Sequence, residues 1–370
     1  MHVLIVGAGL GGLTLAQTLR KQGISFEIFE RDTDKNSRFQ GWAIALHTIT
    51  DQIISSIPSD LPNLKEATNH LAPLDLPAQI LWYYPEKRRV GFEWGKRLQR
   101  YESDESGVTA WFEDGTHLLG LSHEELLDVV PLANIVGQVT LSGEAFKRQL
   151  ALGYSSYSVV RPELGFITFV GLHDVAADGL SARYFWMMMR PDPDVAEPTH
   201  SLQTASKQAK RDHVLEASQK LSPDLREIFE LTPVEGIRDD MHVWRDLELR
   251  SLPAGRVVLL GDSAHAMTPF KGEGGCHAFL DALALSKLFG KLAGDDQHRE
   301  GGGGGGSPSL DAIKTAVEVY NVDMLARSGQ SVRTSRISYD EAKKKVEKRE
   351  PFLSTMRLFP PKEISLGVNG

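Results

Sequence analysis

Gly7, Gly9 and Gly12 stand in the spacing G-x-G-x-x-G within MHVLIVGAGLGGLTLAQTLRKQGISFEIFERD, directly between two patterned runs. His2 to Val6 is short, apolar and β-branched, a strand pattern. Leu10 to Lys21 carries apolar residues at helical spacing until Gly23 stops it, and Ser25 to Glu30 is a second strand pattern. Strand, turn, helix and strand in so short a length predict the βαβ unit of a parallel sheet. Each glycine has its own task there. The first permits the tight turn, the second lets a pyrophosphate approach the backbone, and the third lets helix pack on strand. The helix N-terminus, with unpaired N–H groups and the positive end of its dipole, then faces the phosphates. Glu30, closing the second strand, is placed to accept hydrogen bonds from an adenosine ribose. Glycines serving a turn alone would not bring this full context with them. FAD and NAD share the same ADP half, so the turn leaves the two open. Arg31 could meet a ribose 2'-phosphate, but Glu30 beside it would repel one, which argues against NADP in this turn.

Composition narrows the partners. A chain of 370 residues is long enough for a sizeable core and for two or three structural units. Its net charge of -8 gives no broad basic field, which argues against nucleic acid or an anionic membrane surface as the main partner. Cys276 is the single cysteine, so there is no intramolecular disulfide and no cysteine-rich metal site; no metal is expected, and a reducing, cytoplasmic compartment is the default. The apolar N-terminus lacks a basic leader and is broken by glycines, unlike a signal peptide. No apolar run is long enough to span a bilayer, so no stable membrane anchor is expected.

Further along, prolines at 58, 62, 73, 77 and 85 interrupt any long element. Val108 to Phe112, EDGTH and Leu118–Leu119 suggest a hairpin around Asp114-Gly115. IVGQVTL, GFITFVGL and SARYFWMMMRP are spaced as strands of an antiparallel sheet, and residues 201–230 are helical in pattern. GRVVLLGDSAHAMTP restores the strand-then-glycine pattern, and GGCHAFLDALALSKLFGKLAG is an amphipathic helix after it. DDQHREGGGGGGSPS is a low-complexity linker; beyond it Leu310 to about Lys348 is helical in pattern, with EAKKKVEKRE as a solvated face.

The late stretch RVVLLGDSAHAMTPFKGEGGCHAFLDALALSKLF, taken with VGAGLGG and FER, resembles the FAD-dependent monooxygenases of the para-hydroxybenzoate hydroxylase type. The matching positions are Gly261, Asp262, Ala264, His265, Pro269, Gly272 and Gly274. RFQGWAIALH, GFITFVGLHD, YFWMMMRPDPD, DMHVWRDLELRSLP and VEVYNVDMLARSGQSVRTSR also sit where members carry similar stretches. The chemistry of the residues agrees. A carboxylate such as Asp262 at a strand end can hold ribityl hydroxyls, which nicotinamide dinucleotides lack. The turn Gly272 to Gly275, opening a helix, can offer N–H groups to charge developing near flavin N1 and O2. Pro269 would set a rigid, donor-free surface near the oxygen-reacting face. Asp262 could instead be a turn or capping carboxylate, and His265 could be packing; no catalytic residue is assigned. With the resemblance, the cofactor-binding candidates are Gly7, Gly9, Leu10, Gly12, Glu30, Arg31, Arg38, Gly261, Asp262, Pro269, Gly272, Gly274 and Gly275.

The resemblance implies an α/β fold: a Rossmann-like FAD-binding domain with an inserted, mostly antiparallel β-sheet substrate domain and C-terminal helices. The expected divisions are 1–72 for the first part of the FAD-binding domain, 73–120 for mixed strands and loops, 121–250 for the substrate domain, 251–300 for the second part of the FAD-binding domain, 301–309 for the linker and 310–370 for the helical tail. Two family features are missing. An arginine-bearing helix should fall between Tyr84 and Phe92, where only PEKRRVGFEW stands, and an Asp-Gly fingerprint should follow FEDGTHLLG. Lys87, Arg88 or Arg89 could supply a cation to the phosphates, though a solvated loop is the simpler reading. Asp178-Gly179 lies between two strand patterns and reads as a hairpin turn. Cys276 and Leu280 also depart from the family pattern; Cys276 reads as a small packing residue.

In the family, substrate lies between the sheet and the flavin ring. Alternation along RYFWMMMR puts Tyr184, Trp186 and Met188 on one face, taken as the substrate candidates, and Phe185, Met187 and Met189 on the other; sequence does not choose between the faces. An aromatic and methionine-rich wall suits a hydrophobic, aromatic or polyketide-like small molecule. The resemblance implies that NADPH or NADH, bound transiently, reduces FAD, that O2 forms a flavin C4a-hydroperoxide, and that this hydroxylates or epoxidises the substrate. The alternatives are a redox-inactive or flavin-free relative acting as a binding or substrate-shaping protein, and a flavin oxidase or dehydrogenase. Oligomeric state is not legible.

Overall fold

The computed structural model describes residues 1–34, 49–76, 93–104, 107–113, 127–161, 164–239, 241, 243–294 and 308–336, with backbone alone at 45–46, 81–82 and 295–297. The elements begin with β1 (His2–Val6), α1 (Leu10–Gln22), β2 (Ser25–Phe29), β3 (Ala45–Leu46), α2 (Thr50–Ser56), α3 (Leu64–Ala67), β4 (Leu81–Trp82), β5 (Leu98–Ser103) and β6 (Val108–Phe112). They continue with β7 (Asp128–Val129), β8 (Leu132–Ser142), α4 (Gly143–Leu152), β9 (Ser156–Arg161), β10 (Phe166–Val175), β11 (Ser181–Pro191), α5 (Ser201–Thr204), α6 (Lys207–Ser218) and α7 (Pro223–Leu231). β12 (Arg245–Asp246), α8 (Asp262–His265), α9 (Gly274–Gln297) and α10 (Leu310–Ser335) complete the order. The chain divides into two compact units, one from Met1–Ala67, Tyr83–Asp128 and Asp246–Arg336, the other from Thr68–Trp82 and Val129–Arg245.

In the first unit β1 and β2 pair in parallel, from His2 opposite Ser25 to Val6 opposite Phe29. α1 connects them and ends as its sequence requires: Gly23 takes φ +71° and returns its N–H to the last turn, where Arg20 and Lys21 complement the dipole. Leu13, Leu15, Ala16 and Leu19 of α1 are buried with Ile5, Ile28, Ala282, Leu285, Tyr320 and Met324, so α9 and α10 close over the βαβ unit. Glu93 bridges Phe29 in parallel at the other edge of β2.

GRVVLLG is not a strand. Residues 255–260 carry no ladder; α10 side chains reach this segment instead, the Tyr320 hydroxyl donating to the Leu259 carbonyl at 2.9 Å and Asn321 Nδ2 to the nearby Pro253 carbonyl at 3.3 Å. β6 pairs with β5, ahead of it in the chain, whereas the hairpin expected around Asp114-Gly115 lies outside the described residues. So do Arg38, Lys87, Arg88 and Arg89, the Gly-rich run 301–306 and everything beyond Arg336.

The second unit is a four-stranded antiparallel sheet in the order β8-β11-β10-β9. Asp178-Gly179 makes the β10–β11 hairpin, with Gly179 at φ +71° and the Asp178 carboxylate accepting from the Leu180 N–H. Alternation assigns the faces. Tyr184, Trp186 and Met188 share one face with Ile135, Val139, Val170 and Leu172, in the core with Phe146 of α4, Val214 of α6 and Phe229 of α7. Trp186 is fully buried, edge-on to Phe229, and lies over Gly137, where a Cβ would overlap the indole. Its Nε1 donates to Thr232 Oγ1 at 2.8 Å.

Candidate functional site

The N-terminal turn forms as its glycines demand. Gly7 takes φ +102° and its N–H donates to the Phe29 carbonyl at 2.8 Å, hooking the turn to the end of β2. A Cβ on Gly12 would overlap the Gly7 carbonyl oxygen, the close helix-to-strand approach that only glycine allows. Around Gly7 and Gly9 there is open space instead: a Cβ on either would meet nothing within 4 Å. The Glu30 carboxylate is buried, accepting from the Ala8 N–H at 2.7 Å and the Asp32 N–H at 3.1 Å. Two such bonds fix its aim and leave lone pairs for ribose hydroxyls. Leu10 is half-buried at the start of α1, and Arg31 is exposed beside Glu30.

The second turn is built around Gly261, at φ +62° and ψ -143°, a conformation reserved for glycine. Its N–H donates to Asp281 Oδ2 at 2.8 Å. Asp262 follows at once. Its side chain is exposed, yet protein crowds it on enough sides that desolvation, opposed by the nearby His265, raises its carboxyl above the usual range. An accessible carboxylate beside a desolvating protein surface is suited to ligand hydroxyls. Pro269 is exposed at the head of a 3-10 turn ending at Gly272, φ +62°, and Gly274 and Gly275 open α9.

Far apart in sequence, the two turns meet. A Cβ on Gly11 would stand 2.6 Å from Leu260 Cδ1 and 3.4 Å from the Ala278 carbonyl, so the first glycine turn packs on the residue before Gly261 and on α9. Gln22 at the other end of α1 donates to Ser286 Oγ of α9 at 2.5 Å. The open backbone at Gly7 and Gly9, the buried Glu30 and the accessible Asp262 therefore belong to one body, and their donors and acceptors fit a dinucleotide with an ADP end and a polyol chain.

Sequence reasoning missed the polar groups behind these turns. Asp281, wholly buried, accepts from His265 Nε2 at 2.6 Å and Arg327 at 2.9 Å as well as from Gly261. Burial pulls its carboxyl upward, but those bonds and charges outweigh burial and hold it below the usual range. His277 and Asp281 on α9, and Arg327 and Ser331 on α10, are i, i+4 pairs; that spacing was legible, but the pairing of the two helices was not. Cys276 is buried, as a packing residue would be. Among the described residues no three His, Cys, Asp or Glu side chains are grouped to hold a metal, and no helix is long and apolar enough to cross a membrane.

Burial and the neighbouring Arg327 lower the His277 pKa from 6.5 to about 4. Above pH 6.5 both folded and unfolded states hold it neutral, and as pH falls below 6.5 only the unfolded state gains the proton. Stability is therefore complete above pH 6.5 and declines toward pH 4. After allowance for screening, about 1 kcal/mol is lost by pH 5. Thermal unfolding should show a lower midpoint at pH 5 than at pH 7, and His277→Leu should flatten that dependence; equal slopes would refute the assignment.

In the second unit Tyr184, Trp186 and Met188 face the helices. Met188 also lines a cavity of about 170 Å³ with Ile135, Phe166 and Leu202. The opposite face carries Phe185 and Met189, buried, with Phe169 and Met187 partly exposed; the Phe169 and Phe185 rings lie 5.7 Å apart. Asn134 and Gln138 add amides to this face.

Two family matches span the regions that carry the turns. Residues 5–36 match the NAD(P)-binding Rossmann-like domain family and residues 169–299 the FAD binding domain family. The FAD-dependent monooxygenase thnD of Trichoderma harzianum is 49% identical over 414 aligned positions, covering 100% of both chains. That alignment exceeds the 370 residues here, so it contains positions at which this chain has none. The FAD-dependent urate hydroxylase of Klebsiella pneumoniae is 28% identical over 332 residues, covering 78% of this chain and 81% of its own. In fold, the chain is similar to 2,6-dihydroxypyridine-3-hydroxylase of Arthrobacter nicotinovorans, with a TM-score of 0.67 at 15% identity and 98% of each chain covered. Sequence identity along the whole chain, together with two glycine turns meeting in one body, assigns it: the chain belongs to the FAD-dependent monooxygenases.

Proposed function

We propose that the chain hydroxylates or epoxidises a flat, apolar small molecule, aromatic or polyketide-like, and that the sheet face bearing Phe169, Phe185, Met187 and Met189 recognises it. The observation that carries this reading is the division of β11. Tyr184, Trp186 and Met188 are committed to helix packing, so the other face offers aromatic rings and thioethers, partly exposed at Phe169 and Met187, beside the amides of Asn134 and Gln138. Such a surface suits a planar ring with few oxygen substituents, less polar than the urate of the Klebsiella relative.

FAD, when bound, supplies two-electron reduction by NADPH or NADH and the activation of O2. The chain contributes position. Glu30 would hold the adenosine ribose and Asp262 the ribityl hydroxyls, while the N–H groups of the Gly272–Gly275 turn would face negative charge on the ring. No protein nucleophile is needed.

The test is the purified chain, loaded with FAD and given NADPH or NADH, 18O-labelled O2 and a panel of phenolic and polyketide aromatics. Substrate-stimulated turnover with one labelled oxygen in the product is expected. Full release of peroxide, or a dehydrogenated product without added oxygen, would overturn the reading. Phe169→Ala should raise KM about tenfold with FAD content unchanged, from the loss of a ring contact to the substrate.

A further inference from the structure

We propose that Arg327, on α10, is a positioning residue for FAD: it steadies both halves of the second cofactor turn through two hydrogen-bonded branches. The first branch runs through Asp281. Its carboxylate, wholly buried, receives Arg327 at 2.9 Å on Oδ1 and the Gly261 N–H and His265 Nε2 on Oδ2, at 2.8 and 2.6 Å. A buried carboxylate stays ionised only when paired and fully hydrogen-bonded. Arg327 is the permanent cation of this set, whereas His265 is charged only when protonated. The ionised Asp281 in turn holds Gly261 at its left-handed φ, and the next residue is Asp262. Loss of the cation therefore loosens the aim of the Asp262 carboxylate.

The second branch runs through His277. Arginine can only donate, so its contact of 3.0 Å to His277 Nδ1 makes that nitrogen the acceptor and places the imidazole proton on Nε2. His277 Nε2 then donates to Ser331 Oγ at 2.8 Å, and Ser331 donates to Glu273 Oε2 at 2.9 Å. Lys271 Nζ, 2.7 Å from the same oxygen, closes the chain. Glu273 lies inside the turn from Gly272 to Gly274, so this branch ends where α9 presents its N–H groups. Thr268 Oγ1 also donates to the Ser335 carbonyl at 2.6 Å, giving α10 a third hold on the same loop. One guanidinium thus links the residue that precedes Asp262 with the glycines that open α9, and through it α10 supports the cofactor site.

The inference rests on FAD being the resident cofactor and is independent of the substrate reading. The measurement is the FAD dissociation constant of the full chain, by flavin fluorescence titration of the apoprotein, alongside the apoprotein's thermal midpoint. Arg327→Met should weaken FAD about 10–100-fold, the loss expected for hydrogen bonds to charged groups. Val317→Ala, a fully buried aliphatic position on α10 outside the network, supplies the control for general loosening. At comparable loss of thermal midpoint it should leave FAD affinity within about threefold. Ser331→Ala, which removes one hydroxyl and no charge, should weaken FAD measurably by itself, and it decides the matter if Arg327→Met does not fold. The proposal is overturned if Arg327→Met stays within about threefold of the parent, if Val317→Ala weakens FAD as much as it does, or if Ser331→Ala stands in for it and changes nothing. A parent chain that takes up no FAD would sink the cofactor assignment itself.

Discussion

Gly12→Val should abolish FAD retention and destabilise the first unit by about 2–3 kcal/mol or more, because overpacking here is against backbone rather than a movable side chain. The added Cβ would overlap the Gly7 carbonyl oxygen and lie 3.2 Å from Ile5 Cγ2. Neither can retreat. Gly7 is held at φ +102° by its bond to the Phe29 carbonyl, and Ile5 is inside the parallel ladder opposite Ile28. The helix must therefore lift from the turn, taking its N-terminal N–H groups out of line with the phosphates. Gly9→Ala separates binding from folding. Its Cβ would meet no protein atom within 4 Å, and its φ of -72° is open to alanine, so the apoprotein should unfold at the parental temperature. The methyl group would nevertheless occupy the approach of the pyrophosphate, and FAD affinity should fall. Denaturant unfolding and FAD titration on the two variants check this pair; parental FAD affinity in Gly12→Val would remove the role assigned to the turn.

Trp186→Ala should cost about 3–5 kcal/mol, the range for deleting a large buried aromatic side chain. The indole is fully buried over Gly137, packs edge-on against Phe229, and satisfies the Thr232 hydroxyl. No neighbouring side chain can fill the void from the Gly137 side. Trp186→Phe should recover part of the loss but leave Thr232 Oγ1 without its indole donor. Urea denaturation of the two variants gives the comparison. A Trp186→Ala chain as stable as the parent would mean that the helices do not depend on this face of the sheet, and it would reopen the choice of face for substrate.

The sequence made the local parts legible and left their meeting places obscure. His2–Val6, Leu10–Gln22 and Ser181–Pro191 could be read almost to the residue, since each carries a clean period and a glycine or proline at a boundary. GRVVLLG carries an equally good strand pattern, yet it joins no ladder and its Leu259 carbonyl accepts from Tyr320 of α10, a long-range bond no local period announces. The candidate cofactor residues stood out because glycine spacing is a chemical constraint on backbone. Asp281 did not, since a buried carboxylate and a surface one look alike in an amphipathic helix until the partner helix is known. The face of β11 was undecidable for a related reason. Both of its faces are apolar, and only the packing of α4, α6 and α7 distinguishes them.

The cofactor-bearing unit is assembled from three separated stretches of chain, the last beginning at Asp246. On the ribosome the first glycine hairpin emerges early, but the surface that completes it, Leu260 and Ala278, is translated only after the whole antiparallel sheet. Such non-local closure is slow relative to local helix and hairpin formation. The nascent protein therefore carries an unfinished glycine turn until the stretch bearing Leu260 and Ala278 has been made, about three quarters of the way through its synthesis.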